Sequence, residues 1–506
     1  MVPNFPTGTL KPLPIGGAPP VQRLRWAAAV ASTVGLLLVS LLIIGWPPVG
    51  GHRSSYGPRS HTCFGSRVTP HDDVASVVAS QPAGVTFCLS PGRYRVAEPI
   101  RPRDGDTIWG QPGTQLDGSL PVTDWHRDTY GWRSDVRLNT SAHRVGVCAD
   151  AVRNPCQRAE QVFRDERPLV RVTALPDLRR GTFFVDYDAK AVYVADNPAG
   201  SRIDLASAET AIGSASRDVT VRDLEVEKFA TPAQQGAIMV AGAGWTISAC
   251  NVHGNHGAGV YVGGDHARVV GNTLHDNGQL GGASHRARDL TVLENYLSRN
   301  NTDGFLVNDW EAGGWKATGT EGIFGRNQVR DNASVGLWFD LHSDGIRASG
   351  NTVIGNAADG IRFEISSHGQ ILWNVVRRNG WRSGAGGGPG LFYGAGITIN
   401  TSTDVLVCCN SVDDNVNGVS LQARDRQGSL ARGCQLARVA VRGNRVSLGG
   451  GDNGLVQDVG DPSCFTTSGN VFENNRYRMD HADRAAFAWF GRYLTLREWH
   501  DRYGQG

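Results

Sequence analysis

The sequence predicts an all-β protein built around a parallel β-helix, and three observations predict it. Gly accounts for 65 of 506 residues, a share well above the usual ~7%. Asn occurs 27 times, and 23 of those lie after residue 217. A phrase then recurs: Asn, any residue, an aliphatic residue, and a second Asn five places after the first. The first Asn falls at Asn251, Asn272, Asn295, Asn327, Asn351, Asn374, Asn410, Asn444 and Asn470. The second falls at Asn277, Asn300, Asn332, Asn356, Asn379, Asn415 and Asn475; the first coil runs one residue shorter, to Asn255, and the Asn444 coil carries Gly449 there. The short spacings lie near 23 residues, and the long ones are that period plus an insertion. Such a period suits three short strands per turn, with turns stacked about 4.8 Å apart. Stacked Asn side chains satisfy one another's amides, and Gly supplies corner conformations. A leucine-rich repeat of similar length needs several Leu per unit, which this chain lacks.

The remaining segments follow in chain order. Residues 1–22 are a Pro-rich tail, read as cytoplasmic. Residues 23–48 hold an uncharged run from Trp26 to Trp46, long enough to span a bilayer at ~20 residues. Lys11, Arg23 and Arg25 precede it without an acidic residue, so it reads as a signal-anchor with its N-terminus inside and the rest extracytoplasmic. A cleaved signal peptide is the competing reading, against which stand the length of the run and the Trp46-Pro47-Pro48 that follows. A linker covers 49–70. Residues 71–118 form an N-terminal cap, with a helix over His71–Ser80, and the first coils. Residues 119–206 break the period with alternating strands and read as an inserted β-rich subdomain. The repeats occupy 207–478, and 479–506 form a short helical cap, because open coil ends expose sheet edges.

Composition excludes several function classes. A formal charge of +2 gives no electrostatic case for nucleic acid. Forty per cent hydrophobic residues with 13 Trp exclude a disordered chain. No phosphate-binding loop is present, since the Gly384–Gly390 run is followed by no GK[ST], and no cofactor is expected. The nine cysteines have no metal-ligand spacing. In an oxidising compartment they suggest Cys63–Cys88 and Cys148–Cys156, with Cys434 joined to Cys464 or Cys408, and a free thiol at Cys250 or Cys409.

Each coil also carries a strand that starts at Gly: Gly259–Gly263, Gly304–Asn308, Gly336–Asp340, Gly360–Glu364, Gly396–Asn400 and Gly418–Gln422. Positions two and four are apolar and point inward, so positions three and five point outward. One outward column then contains Trp338 and Arg362, and the next contains Asn308, Asp340, Glu364 and Asn400. Asp340 and Glu364 stand side by side on adjacent coils, at the ~5 Å carboxylate separation of a retaining glycosidase. Like charges so placed drive one pKa upward. Trp338 offers a flat surface to a sugar ring, and Asn308 and Asn400 suit hydroxyl groups. Glu311 and Lys316, in an insertion one coil before Asp340, reach the same groove.

The motifs EAGGWK (311–316), GLWFD (336–340) and GIRFEIS (360–366), with HDNGQLG (275–281), resemble those of exported right-handed β-helix repeat proteins. They are similar to the pectate-lyase-like solenoids of the family-120 β-xylosidase type among glycoside hydrolases. That resemblance implies Asp340 as nucleophile, Glu364 as acid/base, and a polysaccharide or oligosaccharide as partner. Asn301-Thr302-Asp303-Gly304 copies a polygalacturonase motif, but the further Asp residues and His of that chemistry are missing. A uronate lyase or epimerase on the same fold would draw on Lys316, Arg362, His342 or His368. A non-catalytic glycan-binding solenoid would use the same groove without turnover.

Overall fold

The structure, a computed structural model, describes residues 62–138, 145–306, 310–382, 393–425 and 433–506. Trp26–Trp46, Asn308 and Gly384–Gly390 lie outside these residues, and no described helix is long and apolar enough to cross a membrane. The described chain winds into three sheets of 13, 12 and 12 strands that run along one solenoid, parallel except for the final pair Phe487–Trp489 and Arg492–Leu494. The core is a continuous column of aliphatic and aromatic side chains from Val68 to Trp499.

Two Asn stacks fix the register between coils. One begins at Cys250, whose backbone N–H donates to Asn272 Oδ1, and runs through Asn295, Asn327, Asn351, Asn374, Asn410 and Asn444 to Asn475. The other runs from Asn255 through Asn277, Asn300, Asn332, Asn356 and Asn379 to Asn415. Asn272 and Asn255 accept from the backbone N–H of Cys250 and Phe229, and each later Asn side-chain oxygen accepts from the backbone N–H and amide of the Asn one coil before. Its Nδ2 donates to a backbone carbonyl, as Asn356 Nδ2 does to Val329 O.

These contacts correct the predicted register at both ends. Asn251 pairs with Thr273, so Cys250 holds the first place in the stack and the apparent one-residue shortening at Asn255 disappears. Asn475, not Asn470, follows Asn444, and Asn470 Oδ1 instead accepts from Val439 N–H. A left-handed residue precedes each place in the stack. It is Gly at 271, 350 and 443, but Ala249, Glu294, Arg326, Trp373, Cys409 and Asn474 also have φ between 50° and 64°. Corner Gly is therefore only part of the pattern. The hydrogen bonds made by the following residue offset the ~1–2 kcal/mol that this conformation costs a residue with a Cβ.

The segment between Asp117 and Ile212 is inserted between successive coils, since Thr107–Gly110 and Thr114–Asp117 pair directly with Thr220–Arg222 and Glu225–Glu227. It forms two small, mostly antiparallel sheets around a core of its own. Ion pairs join it to the coils. Arg95 pairs with buried Asp204, and Arg93 and buried Lys228 pair with Glu166 at the surface. Burial pushes the Glu166 carboxyl upward, yet Lys228 and Arg93 outweigh it and hold the group at about 2. Helix Val74–Ser80, capped by Asp73, lies at the N-terminal end, and Leu496–Tyr503, with a Thr495/Glu498 capping box, packs Trp499 into the far end. Disulfides join Cys63–Cys88, Cys148–Cys156 and Cys434–Cys464. Cys408 bonds Cys409, which removes Cys409 as the free thiol and leaves buried Cys250.

Removing an amide from mid-stack strands several buried donors at once, each costing ~1–3 kcal/mol. Asn356→Ala is therefore expected to destabilise the protein by about 2–5 kcal/mol in denaturant titration. Asn197→Ala, at an exposed turn, is expected to stay within about 0.5 kcal/mol. Equal effects would show that the stacks do not hold the coils.

Candidate active site

One sheet builds the site. Strands Gly313–Thr318, Val335–Asp340, Ile361–Glu364, Ala395–Asn400 and Asn417–Ala423 stack in parallel. Close packing against an Asn stack explains the Gly at their starts: a Cβ on Gly336 would meet Gly360 O at 2.5 Å and Asn356 Nδ2 at 3.0 Å. Alternation then sends Leu337, Phe339, Ile361 and Phe363 into the core. The outward columns are Lys316, Trp338, Arg362, Thr398 and Ser420, beside Thr318, Asp340, Glu364, Asn400 and Gln422. Under these residues Trp315, Phe324, Phe339 and Phe363 form a chain of ring contacts at 4.8–6.3 Å, which gives the site a packed floor.

The expected strand Gly304–Asn308 does not belong to this sheet. Gly304 satisfies the four-residue offset from Asn300, but its coil has a spacing of 32 residues, and the extra length falls between Asn300 and the sheet. There Phe305 bridges to Cys148 and packs against Cys156 of the insertion. Lys316 is consequently a strand residue in direct register with Trp338, not part of a loop.

The two carboxylates face away from the solenoid core, yet each is only 5% exposed. Lys316 Nζ lies 2.9 Å from Asp340 Oδ2, and Leu341 N–H donates to Asp340 Oδ1 at 2.7 Å. Trp338 Nε1–H donates to Glu364 Oε2 at 3.1 Å, and Asn400 Nδ2–H to Glu364 Oε1 at 3.0 Å. Burial raises the Asp340 pKa above the usual carboxylate value; Lys316 opposes that shift and the Glu364 charge adds to it. Arg362 Nε donates to buried Asp359 at 2.7 Å. Burial disfavours the guanidinium charge, but Asp359 and Glu364 overcome this and raise its pKa.

Trp338 is not an open platform. Lys316 Nζ sits 3.6 Å from its ring centroid and the Arg362 guanidinium 4.8 Å, so cations occupy the ring. Its indole N–H is turned toward Glu364. A cavity of about 200 Å³ opens above these groups, also lined by Asp359, Tyr393, Thr398, Asn400 and Arg424. Glu311 does not line it; it lies 3.8 Å from Lys316 and accepts from Gln234. His368 lies away from the cavity because the chain turns at Ile365, and it pairs with Asp344 at the surface. His342 is exposed and likewise outside. Sequence reasoning missed Asp359, Tyr393 and Arg424 as site residues. Tyr393 and Arg424 lie outside the repeat, but Asp359, immediately before Gly360, shares the coil of Arg362.

Among the described residues, Glu225, Glu227 and His253 form a cluster with ligand atoms within 4.8 Å of one another, which the sequence reading did not find. Glu227 already has Lys228 at 3.7 Å and Arg93 at 3.8 Å, so protein cations supply positive charge there.

No curated protein matches the sequence. The XylC structure in complex with xylose aligns at TM-score 0.51 and 13% identity, covering 76% of this chain and 66% of that one, just under two thirds of its length. A structure described as a glycoside hydrolase aligns at 0.47 and 11%, covering 77% and 89%. The A-module of Azotobacter vinelandii mannuronan C-5 epimerase AlgE4 aligns at 0.48 and 13%, covering 84% and 93%. At such identities the likeness is one of fold. The family model for the right-handed β-helix region matches residues 212–436, and this part of the chain is therefore a right-handed parallel β-helix.

Proposed function

We propose that the protein is a carbohydrate-active enzyme, a retaining glycoside hydrolase acting on a polysaccharide or oligosaccharide. In this reading Trp26–Trp46 anchors it in the membrane with the β-helix outside, where disulfides persist. The observation that carries the reading is the pair Asp340 and Glu364, buried on consecutive strands and held by different partners. Strands ~4.8 Å apart bring their carboxyl groups near the about 5–5.5 Å of retaining chemistry. Asp340 attacks the anomeric carbon while Glu364 gives its proton to the departing glycosidic oxygen, leaving a covalent glycosyl ester. Glu364 then takes a proton from water, whose oxygen displaces Asp340. Lys316 neutralises the Asp340 charge and so favours the ionised nucleophile. Asn400 and Trp338 hold the plane of Glu364.

A second reading, a uronate lyase or epimerase, draws on Lys316 and Arg362, both in the cavity. It differs in its product, since a lyase leaves an unsaturated sugar that absorbs in the ultraviolet. A glycan-binding solenoid would show affinity and no turnover.

Under the hydrolase reading, Glu364→Gln lowers kcat/KM by about 10²–10⁴-fold, and Asp340→Ala abolishes turnover. Azide restores the Asp340→Ala variant and yields a glycosyl azide of inverted configuration. Unimpaired turnover in either variant, or an ultraviolet-absorbing product, would exclude the hydrolase.

The pH profile offers a second check. A nucleophile whose folded pKa is raised loses its charge at a higher pH than an ordinary Asp, whose value is 3.8. The acidic limb of kcat/KM therefore lies above that value. Lys316→Met removes the ammonium that opposes the rise, so the limb moves to still higher pH. A limb that stays in place or moves down would contradict the assigned electrostatics.

A further inference from the structure

The charges around the cavity do not balance once the proposed chemistry is taken into account. Lys316, Arg362 and Arg424 face Asp340, Asp359 and Glu364. Lys316 pairs with Asp340, and Arg362 with Asp359. In the resting state of a retaining hydrolase the acid/base carboxyl carries a proton, which leaves three cations against two anions. The surplus falls on Arg424. Among the described residues its guanidinium meets the Tyr393 hydroxyl and ring, with no carboxylate in ion-pair range. Its Nε is buried and makes no hydrogen bond to the protein. Thr398, 1% exposed and next to Arg362 in the column, has a buried hydroxyl with no protein partner and lines the same cavity.

We infer that the sugar held over Asp340 is a uronic acid, whose carboxylate is received by Arg424 and the Thr398 hydroxyl. Arg424 and Thr398 line the cavity, and a guanidinium without a carboxylate of its own matches an acceptor-only anion. A neutral hydroxymethyl group would leave the half-buried Arg424 charge without an anionic partner. At about 200 Å³ the cavity falls below the ~300–1,000 Å³ of pockets for larger ligands, and suits a single ring. Arg424 acts here in substrate selection, not in bond cleavage. The inference rests on the hydrolase reading for the proton on Glu364, but the placement of Arg424 and Thr398 in the cavity stands apart from it.

Binding separates this inference from that reading. The full-length chain carrying Glu364→Gln, which leaves the ligand intact, is titrated calorimetrically with short oligomers of glucuronate, galacturonate and mannuronate. Each is compared with its counterpart whose carboxyl groups have been reduced to alcohols. At least one uronate oligomer is expected to bind about tenfold or more tightly than its reduced form. Adding Arg424→Met should abolish that preference while leaving affinity for the reduced sugar, and Arg424→Lys should restore part of it. Equal affinity for acidic and reduced forms, no binding of any uronate, or equal losses in Arg424→Met for both forms would overturn the inference. A carboxylate preference lost in Arg424→Met, together with an ultraviolet-absorbing product from the wild type, would support the uronate site and remove the hydrolase reading alone.

Discussion

The interlock between an Asn stack and the Gly at each strand start sets the register on which the site depends. Asn356 Nδ2 lies where a Cβ on Gly336 would point, and Asn379 Nδ2 takes the same position against Gly360. Hydrogen bonds along the stack tie each Asn to the next coil. Because side chains alternate with a period of two, a one-residue slip would send Asp340 and Glu364 into the core and Phe339 and Phe363 outward. Buried amides with full hydrogen bonding make such a slip costly. The position of the carboxylate pair is thus a consequence of the repeat, not of local loop structure.

On that frame the site is an alternation of charge and aromatic surface. Lys316, Trp338 and Arg362 stack on successive strands, so the indole sits between two cations and directs its N–H at Glu364. The neighbouring column carries the anions. Each buried charge has a partner of opposite sign or a hydrogen-bond donor, which is the condition for keeping charges out of water. Arg424, half-buried at the edge, meets Tyr393 and no carboxylate among the described residues.

Much of this was legible in the sequence, because a coil repeats both its ladder residues and its strand alternation. The period near 23 residues, the inward and outward columns and the adjacency of Asp340 with Glu364 follow from spacing alone. The errors arose where spacing was ambiguous. Asn251 adjoins the true stack position, and only the partner strand shows that Cys250 fills it. Gly304 has the right offset from Asn300, while the strand that stacks begins nine residues later at Gly313. The covered faces of Trp338 depend on Lys316 lying in a strand, which its place in an insertion conceals. Arg424 and Tyr393 lie where the period is interrupted, so no column points to them.

Retaining hydrolysis requires Asp340 to form a covalent bond to the sugar. Mass spectrometry of the protein after incubation with a panel of 2-deoxy-2-fluoroglycosyl fluorides, neutral and uronic, tests it directly. An adduct of one fluorosugar is expected on the proteolytic peptide that contains Asp340. An adduct on another residue, or turnover of a cognate substrate with no adduct from its fluorinated analogue, would contradict it.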